Sequence, residues 1–517
     1  MKQNKWIALI AMSLGVFMSL LDVTVVNVAL PTMAKDLDTT FTNLQWVLNI
    51  YTLMIAVTLL IMSKLGDMYG RKKIFMISMA IFVIASAVNG VAGSLTVLNI
   101  SRGVQAIGGA GLSSLSMALT ASNFQGKSRG TALGILGSVI GLSTASGPLV
   151  GGYLVEQFGW SSIFFVNIPV GIIAFILSAV YIKETPSYGE HQRIDIAGML
   201  LSAATLFSLI FGLIQKENHA QWGWNDIRIY GWLVAAVVLL VIFILVEKRI
   251  TSPMMNLDMF KQRHFVGAAL VALALGMGIY AFYAFLTALM QNYIGYTSLQ
   301  TGIRQLTISM WSLILGPVTG ILGNRFSKKW LISISMVIGG LGFILIDRAL
   351  SPTISFVDMW PGMVLLGIMN GMVNPLINSA GMEGVKMHEM GMASGLLNVF
   401  RQLGTTLGVV VLGLVQTSRY ETYLNGHMSQ VGMPTAMASK LHAALVDAGP
   451  FSGHAIAYND RLNGLPFTSQ FRHMVVTAYD HGMSGTVLTS AGIVIAGGIL
   501  AAILMKTQFE SEEIKAH

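Results

Sequence analysis

The chain has 517 residues, 54% of them hydrophobic and only 10% charged, with no cysteine and a formal net charge of +8. A soluble domain carries roughly 25% charged residues, so this is the composition of a polytopic membrane protein. The lack of Cys excludes disulfides, thiolate metal sites and Cys nucleophiles. The basic residues are spread over short loops without stacking aromatics, which excludes nucleic acid as a partner.

A spanning helix needs about 20 mainly apolar residues. Segments of that kind are expected near 6–30, 44–63, 74–95, 97–121, 131–155, 163–182, 194–214, 229–246, 265–290, 301–322, 330–350, 359–380, 393–415 and 485–505, fourteen in all. The first follows a basic N-terminus but is too long for a secretory signal and has no small-residue cleavage site, so it is expected to stay. Only 92–96 offers a turn between the third and fourth segments.

With the N-terminus in the cytoplasm, alternation puts twenty Lys and Arg on the cytoplasmic side, among them Lys64, Arg71, Lys72, Lys73, Arg325, Lys328 and Lys329. The short outer loops keep Lys35, Lys216, Arg228 and Arg348. This asymmetry predicts that both termini are cytoplasmic. Residues 188–193 form a polar link. Residues 417–483 read as one long extracellular loop, far beyond ordinary loop length. Within it Met437, Leu441 and Leu445 recur at spacing four, so a short helical hairpin capping the outer face is expected. Its histidines show no metal-ligand spacing.

The first segment carries Asp22 in its outer half. A carboxylate in hydrocarbon is costly and is read as functional by default. The fourth segment runs the other way and carries Arg102 five residues after Val97. At about 1.5 Å per residue, both lie roughly 8–12 Å below the outer surface. Gln105 shares a helical face with Arg102. No other acid lies deep in an apolar segment of either half.

The chain also repeats itself. Leu65-Gly66-Asp67, Gly70 and Arg71-Lys72 after the second segment align with Leu322-Gly323-Asn324, Ser327 and Lys328-Lys329 after the tenth. Both loops follow the second helix of a six-helix block if the second block begins at segment nine. The expected layout is an all-α membrane protein with a bundle over 1–184, a two-helix insert over 185–263, and a second bundle over 264–517 that includes the 417–483 loop. Parallel repeats with a site at their interface are a secondary-transporter architecture.

Five stretches then resemble the major facilitator superfamily, and within it the fourteen-helix drug:proton antiporters. They are Leu21-Asp22-Val23-Thr24-Val25-Val26-Asn27-Val28-Ala29-Leu30-Pro31; the loop over 63–73; Arg102-Gly103-Val104-Gln105-Ala106-Ile107-Gly108-Gly109; the run from Gly141 through Gly147-Pro148 to Gly151-Gly152; and Trp160 with Asn167, Pro169 and Gly171. Ser63, Met68, Ala106 and Ser161-Ser162 depart from those patterns. None of them removes a titratable group.

The resemblance implies the major facilitator fold and a proton-coupled antiporter rather than an enzyme. It would export amphipathic, cationic drugs from a bacterium across the cytoplasmic (inner) membrane, with the proton gradient as energy source and no cofactor or metal. It also implies roles. Asp22 and Arg102 carry proton and cation coupling. Gly66, Asp67, Gly70, Arg71 and Lys72 form a cytoplasmic gate. Gly141, Gly147, Pro148, Gly151 and Gly152 form an antiporter motif on a tightly packed helix. Asn27, Trp46, Asn49, Gln105, Tyr280, Tyr283, Trp311, Asn374, Asn378 and Arg401 are the cavity candidates, because aromatics with a few polar groups suit amphipathic ligands. The expected partners are small amphipathic molecules, protons and the lipid bilayer, with an adaptor or outer-membrane channel if the cell has two membranes. The alternatives are a physiological exporter of a lipid, fatty acid, siderophore or peptide, for which Arg401 is the natural contact, and, remotely, a receptor.

Overall fold

The computed structural model describes residues 4–39, 41–124, 127–185, 195–219, 222–250, 253–386 and 389–505. The polar link at 188–193 lies outside them. The described residues are helical throughout, without a strand. The first group is α1 (Lys5–Asp36), α2 (Phe41–Tyr69), α3 (Arg71–Gly90), α4 (Leu95–Asn123), α5 (Lys127–Phe158), the short α6 (Ser162–Phe165) and α7 (Asn167–Tyr181). Then come α8 (Ile196–Asn218) and α9 (Ile227–Glu247). The last group is α10 (Arg263–Leu275), α11 (Ala281–Ala288), α12 (Ser298–Leu322), α13 (Lys328–Ala349), α14 (Phe356–Gly381), α15 (Met390–His427), α16 (Thr435–Ala457) and α17 (Thr468–Leu504).

Among the described residues, twelve helical segments are long and apolar enough to cross a membrane. To these α4 and α5 add two more of 29 and 32 residues, whose many Gly and Ser lower their apolarity. The chain is therefore a multi-pass membrane protein, and each of the fourteen expected segments has its helix. The turn between α3 and α4 falls at 91–94, where the Ser94 hydroxyl accepts the Val97 N–H and caps α4. α9 presents Ile227, Val234, Val237, Val241 and Leu245 to the outside. An apolar face of that size suits contact with lipid.

The face that carries Lys64 and Arg71–Lys73 is called the basic face below. Within the first group α1 packs on α4, α5 and α7, and α3 on α4 and α7; in the last, α13 packs on α14 and α17, and α15 on α10 and α17. Across the groups, α5 lies on α12 and α14, and α2 lies on α15. In the repeat alignment α12 corresponds to α2 and α15 to α5, so the two crossings are related by the internal repeat. α8 leans on α2 and α15.

The α5–α12 crossing is backbone on backbone. A Cβ built on Gly134 would sit 2.5 Å from the Gly316 carbonyl oxygen, and one on Gly130 would sit 2.7 Å from that of Gly320. Only residues without side chains allow helices so close.

The segment 417–483 is not a loop. α15 continues to His427, α17 begins at Thr468, and α16, kinked at Gly449-Pro450, lies between them. At about 1.5 Å per residue, the 38-residue α15 reaches roughly 57 Å, well past a hydrocarbon core of about 30 Å. Tyr420, Leu424 and Met428 recur at spacing four and pack with Leu445, Phe471, Val475 and Ala478 into a small core of their own. That core keeps the helices going beyond the membrane. The expected helical cap is present, built mainly from the two extended helices.

The crossing yields a direct check. Gly134→Val and Gly316→Val are each expected to destabilise the protein by about 1–3 kcal/mol through overpacking. A lower thermal midpoint and less monodisperse protein on size exclusion would register this. Gly93→Val, with nothing within 4 Å of its Cβ position, should change neither.

Candidate functional site

Asp22 and Arg102 meet. α1 and α4 pack side by side, and the two side chains form a fully buried ion pair between Arg102 Nη1 and Asp22 Oδ2. Gln105 Nε2 donates to Asp22 Oδ1 at 3.0 Å, and Asn167 Nδ2 of α7 donates to the same oxygen at 3.3 Å. Arg102 also donates to Gln105 Oε1 at 2.8 Å and, through Nε, to the Val47 carbonyl at 3.2 Å. Its guanidinium lies 4.0 Å from the Tyr51 ring centroid, a cation–π contact. Around this centre Asn89 donates to Gln105 Oε1 at 2.7 Å, Ser101 donates to Asn89 Oδ1, and Ser86 accepts from Asn167 at 3.1 Å. Five helices thus surround one buried charge pair with polar groups, which is what makes it tolerable in hydrocarbon.

The second acid, Asp67, lies at the basic face and joins the two bundles. Arg71 Nε donates to Asp67 Oδ1 at 2.8 Å and its Nη2 lies 2.7 Å from the same oxygen. Asp67 also accepts the N–H groups of Gly391 (3.2 Å) and Met392 (3.0 Å), the first turn of α15. A carboxylate at a helix N-terminus satisfies orphan donors and meets the positive end of the helix dipole. Close by, Ser394 donates to the Ser114 carbonyl at 2.7 Å. The basic face is therefore closed. Gly66 packs under Leu115, and Gly70 adopts φ 101 in the turn into α3. The N–H groups of Lys72 and Lys73 donate to Glu184, each at 2.9 Å. In the repeat Asn324 stands for Asp67, and its carboxamide lies against Gly130 in the first turn of α5.

α5 is gripped on two sides. Gly141 faces Ser312 and Asn370 of the second bundle, whereas Gly147 and Gly151 face Thr24 and Val25 of α1. Gly152 is buried. Of Pro148 only the backbone is described, within an unbroken helix.

Between the bundles lies a cavity of about 450 Å³, lined from α1, α2, α4, α5, α8, the α10–α11 span, α12 and α15. It takes in Asn27, Asn49, Tyr280, Tyr283 and Arg401. It does not take in Asp22 or Gln105, which lie behind α1 in the ion-pair cluster, nor Trp46, Trp311, Asn374 or Asn378. Trp46 packs on Phe211 of α8, with ring centroids 5.8 Å apart, and Trp311 lies against Gly367 of α14. Asn374 is spent on Tyr280, donating to its hydroxyl at 2.8 Å. Asn378 is fully buried away from the cavity. Helix periodicity puts aromatic and amide groups on a face, but which face meets the cavity is decided by packing.

Two π turns, Gly276–Tyr280 and Leu289–Tyr293, interrupt the α10–α11 span where it borders the cavity. π-bulges of this kind often mark functional sites. Sequence reasoning missed them, along with the polar shell of Ser86, Asn89 and Ser101, and it missed a second acidic group near the basic face. There Asp195 caps α8 and accepts the Met254 N–H at 3.1 Å, while Glu247 accepts that of Met255 at 3.2 Å. Lys64 donates to the Pro253 carbonyl at 2.9 Å. The N-cap pattern of an Asp before an apolar run was the available signal for Asp195.

The Major Facilitator Superfamily profile matches residues 12–409. The chain is 30% identical over 468 residues to the tetracenomycin C resistance and export protein of Streptomyces glaucescens, covering 88% of this chain and 84% of that protein. It is 30% identical over 457 residues to the multidrug resistance protein Stp of Mycobacterium tuberculosis, with the same coverages. It is 29% identical over 434 residues to the riboflavin transporter RibZ of Clostridioides difficile, covering 83% and 92%. The crystal structure of the human organic anion transporter MFSD10 superposes with a TM-score of 0.61 at 13% identity, covering 96% of this chain and 99% of that one; this likeness speaks for the fold alone.

The contact between Asp67 and α15 can be measured. The chain has no native Cys, so a Lys73→Cys/Arg325→Cys pair, both exposed at the basic face of opposite bundles, takes spin labels cleanly. Removing one partner of a buried pair costs about 3–5 kcal/mol. Adding Asp67→Ala should therefore convert one short distance into a distribution extending to longer ones. An unchanged distribution would show that Asp67 does not hold the face shut.

Proposed function

The chain belongs to the Major Facilitator Superfamily, a family of transporters and not of enzymes, and we propose that it exports amphipathic organic compounds, drugs among them, in exchange for protons. The observation that carries the reading is the buried Asp22–Arg102 pair set directly behind the wall of the inter-bundle cavity. The proton gradient is the energy source. The membrane is the bacterial cytoplasmic membrane, with the basic face and both termini in the cytoplasm.

Asp22 takes and releases the proton. Charged, it balances Arg102. Protonated, it leaves a buried guanidinium with neutral partners only, Gln105 Oε1 and the Val47 carbonyl. An uncompensated buried charge is costly, so proton uptake forces the cluster, and α1 with it, to rearrange. The residues that follow Asp22 on α1, Val23, Thr24 and Asn27, line the cavity, and Thr24 is wedged against Gly147 of α5. A small movement of α1 therefore changes the cavity wall. Proton and substrate compete through α1 without touching the same atom.

The opposite end of the cycle is the basic face. Asp67 holds α15 of the second bundle and stabilises the form closed to the cytoplasm. Release of that contact lets the bundles rock about the glycine crossings, opening the cavity inward.

The test separates coupling from binding. In everted vesicles, Asp22→Asn should lose at least ten-fold in pH-gradient-driven dye uptake and in substrate-induced proton release, followed with a pH-sensitive fluorophore. Because Asp22 does not line the cavity, dye affinity of the purified variant should stay within about three-fold of wild type. If Asp22→Asn keeps proton-driven uptake, the assignment of Asp22 is wrong.

A further inference from the structure

The cavity carries a positive charge. Of the residues that line it, Arg401 alone is charged; none is a carboxylate. Arg401 is 8% exposed. Among the described residues its Nε makes no hydrogen bond and no acid pairs with its guanidinium. An unbonded guanidinium nitrogen is shared with Arg102 Nη2, but Arg102 and Arg71 are each matched by a buried carboxylate and Arg401 by none among the described residues. Asp22 does not line the cavity and is already engaged by Arg102, Gln105 and Asn167.

We propose that Arg401 is the anchor for an anionic group of the substrate, and that the cavity selects amphipathic aromatic compounds bearing a carboxylate, sulfonate or ionised phenol. This rests on the export reading above and gives that site a substrate class. A guanidinium presents planar paired donors that match a carboxylate edge. Left unmatched when the bundles close around it, it would be a desolvated lone charge. A ligand that supplies the opposite charge removes that penalty, and a cationic ligand adds to it. Tyr280 and Tyr283 line the same cavity and supply aromatic surface for the apolar part of the ligand. Asn398, Gln402 and Thr405, on the same helix as Arg401, offer hydrogen bonds that tolerate varied groups.

The placement also reaches the closed face. Arg401 lies ten residues after Gly391, whose N–H is held by Asp67. That is about 15 Å along one continuous helix. An anion drawn to Arg401 therefore acts on the helix whose N-terminus latches the basic face.

Two dyes of one skeleton and opposite charge, fluorescein and rhodamine 6G, make the test. Binding to purified protein is read by fluorescence anisotropy, and proton-driven uptake in everted vesicles is read alongside. Wild type should bind fluorescein at least ten-fold more tightly than rhodamine 6G. Arg401→Gln should weaken fluorescein binding at least ten-fold and leave rhodamine 6G unchanged or tighter. Arg401→Lys keeps the charge but not the fork, so it should fall between the two; it also serves if the Gln variant fails to fold. If rhodamine 6G is preferred and moved with protons, or if neither substitution changes the ratio, the anion assignment is overturned while the export reading stands. If neither dye, nor any other compound of a wider panel, is moved by a proton gradient, the export reading itself fails and the assignment with it.

Discussion

Asp67 does three things with one carboxylate. It neutralises Arg71 at the start of α3, it fills the empty N–H groups at the start of α15, and it closes the basic face between the bundles. All three depend on burial: in water a surface ion pair is worth about 0–1 kcal/mol, whereas here Asp67 is 5% exposed. Close approach is built in on both sides. Gly391 has no side chain to hold the carboxylate off, and Gly66 lets Leu115 of α4 pack onto the same turn of α2. The repeat places an amide, Asn324, at the related position. An amide adds no charge there, so the two related crossings are not equally strong. Such asymmetry suits a protein that must open one side at a time.

α1 joins the charge cluster to the cavity because a helix has two faces. One carries Asp22 towards α4 and α7, and the other carries Val23, Thr24 and Asn27 into the cavity. α5 lies across it, with Gly147 and Gly151 against α1 and Gly130 and Gly134 against α12. A Cβ at any of these positions would collide with backbone or with a β-branched side chain. The glycine run is therefore a steric requirement of two interfaces at once. It also gives α1 and the second bundle a common surface to slide on.

Much of this was legible in the chain. The fourteen segments follow from length and apolarity, and the depth match of Asp22 and Arg102 follows from counting residues along opposed helices. The repeat around Asp67 and Asn324 was visible because a functional loop constrains glycine and charge together. What escaped was decided by tertiary packing. Trp46 and Trp311 turn towards helices, not the cavity, and Asn374 is taken up by Tyr280. The π turns carry no clear sequence signal, because an extra residue in a helical turn breaks no composition rule. The stretch 417–483 misled because membrane-length arguments end a helix where the apolar run ends. Here a separate small core around Tyr420, Leu445 and Phe471 carries it on.

The π turns matter for Arg401. A Cβ on Gly276, where the first π turn begins, would collide with backbone of α15 between Arg401 and Thr405, and Gly404 and Gly408 press back on the same span in return. The two helices thus meet backbone to backbone beside the guanidinium. A π turn inserts one extra residue and shifts the residues after it by about 100° around the axis. Tyr280, the last residue of the first π turn, and Tyr283 line the cavity, while Gly276 at its start stays in the tight contact. The span is therefore shaped by the need to hold α15 close and still line the cavity with aromatics, and Arg401 stands where those two demands meet.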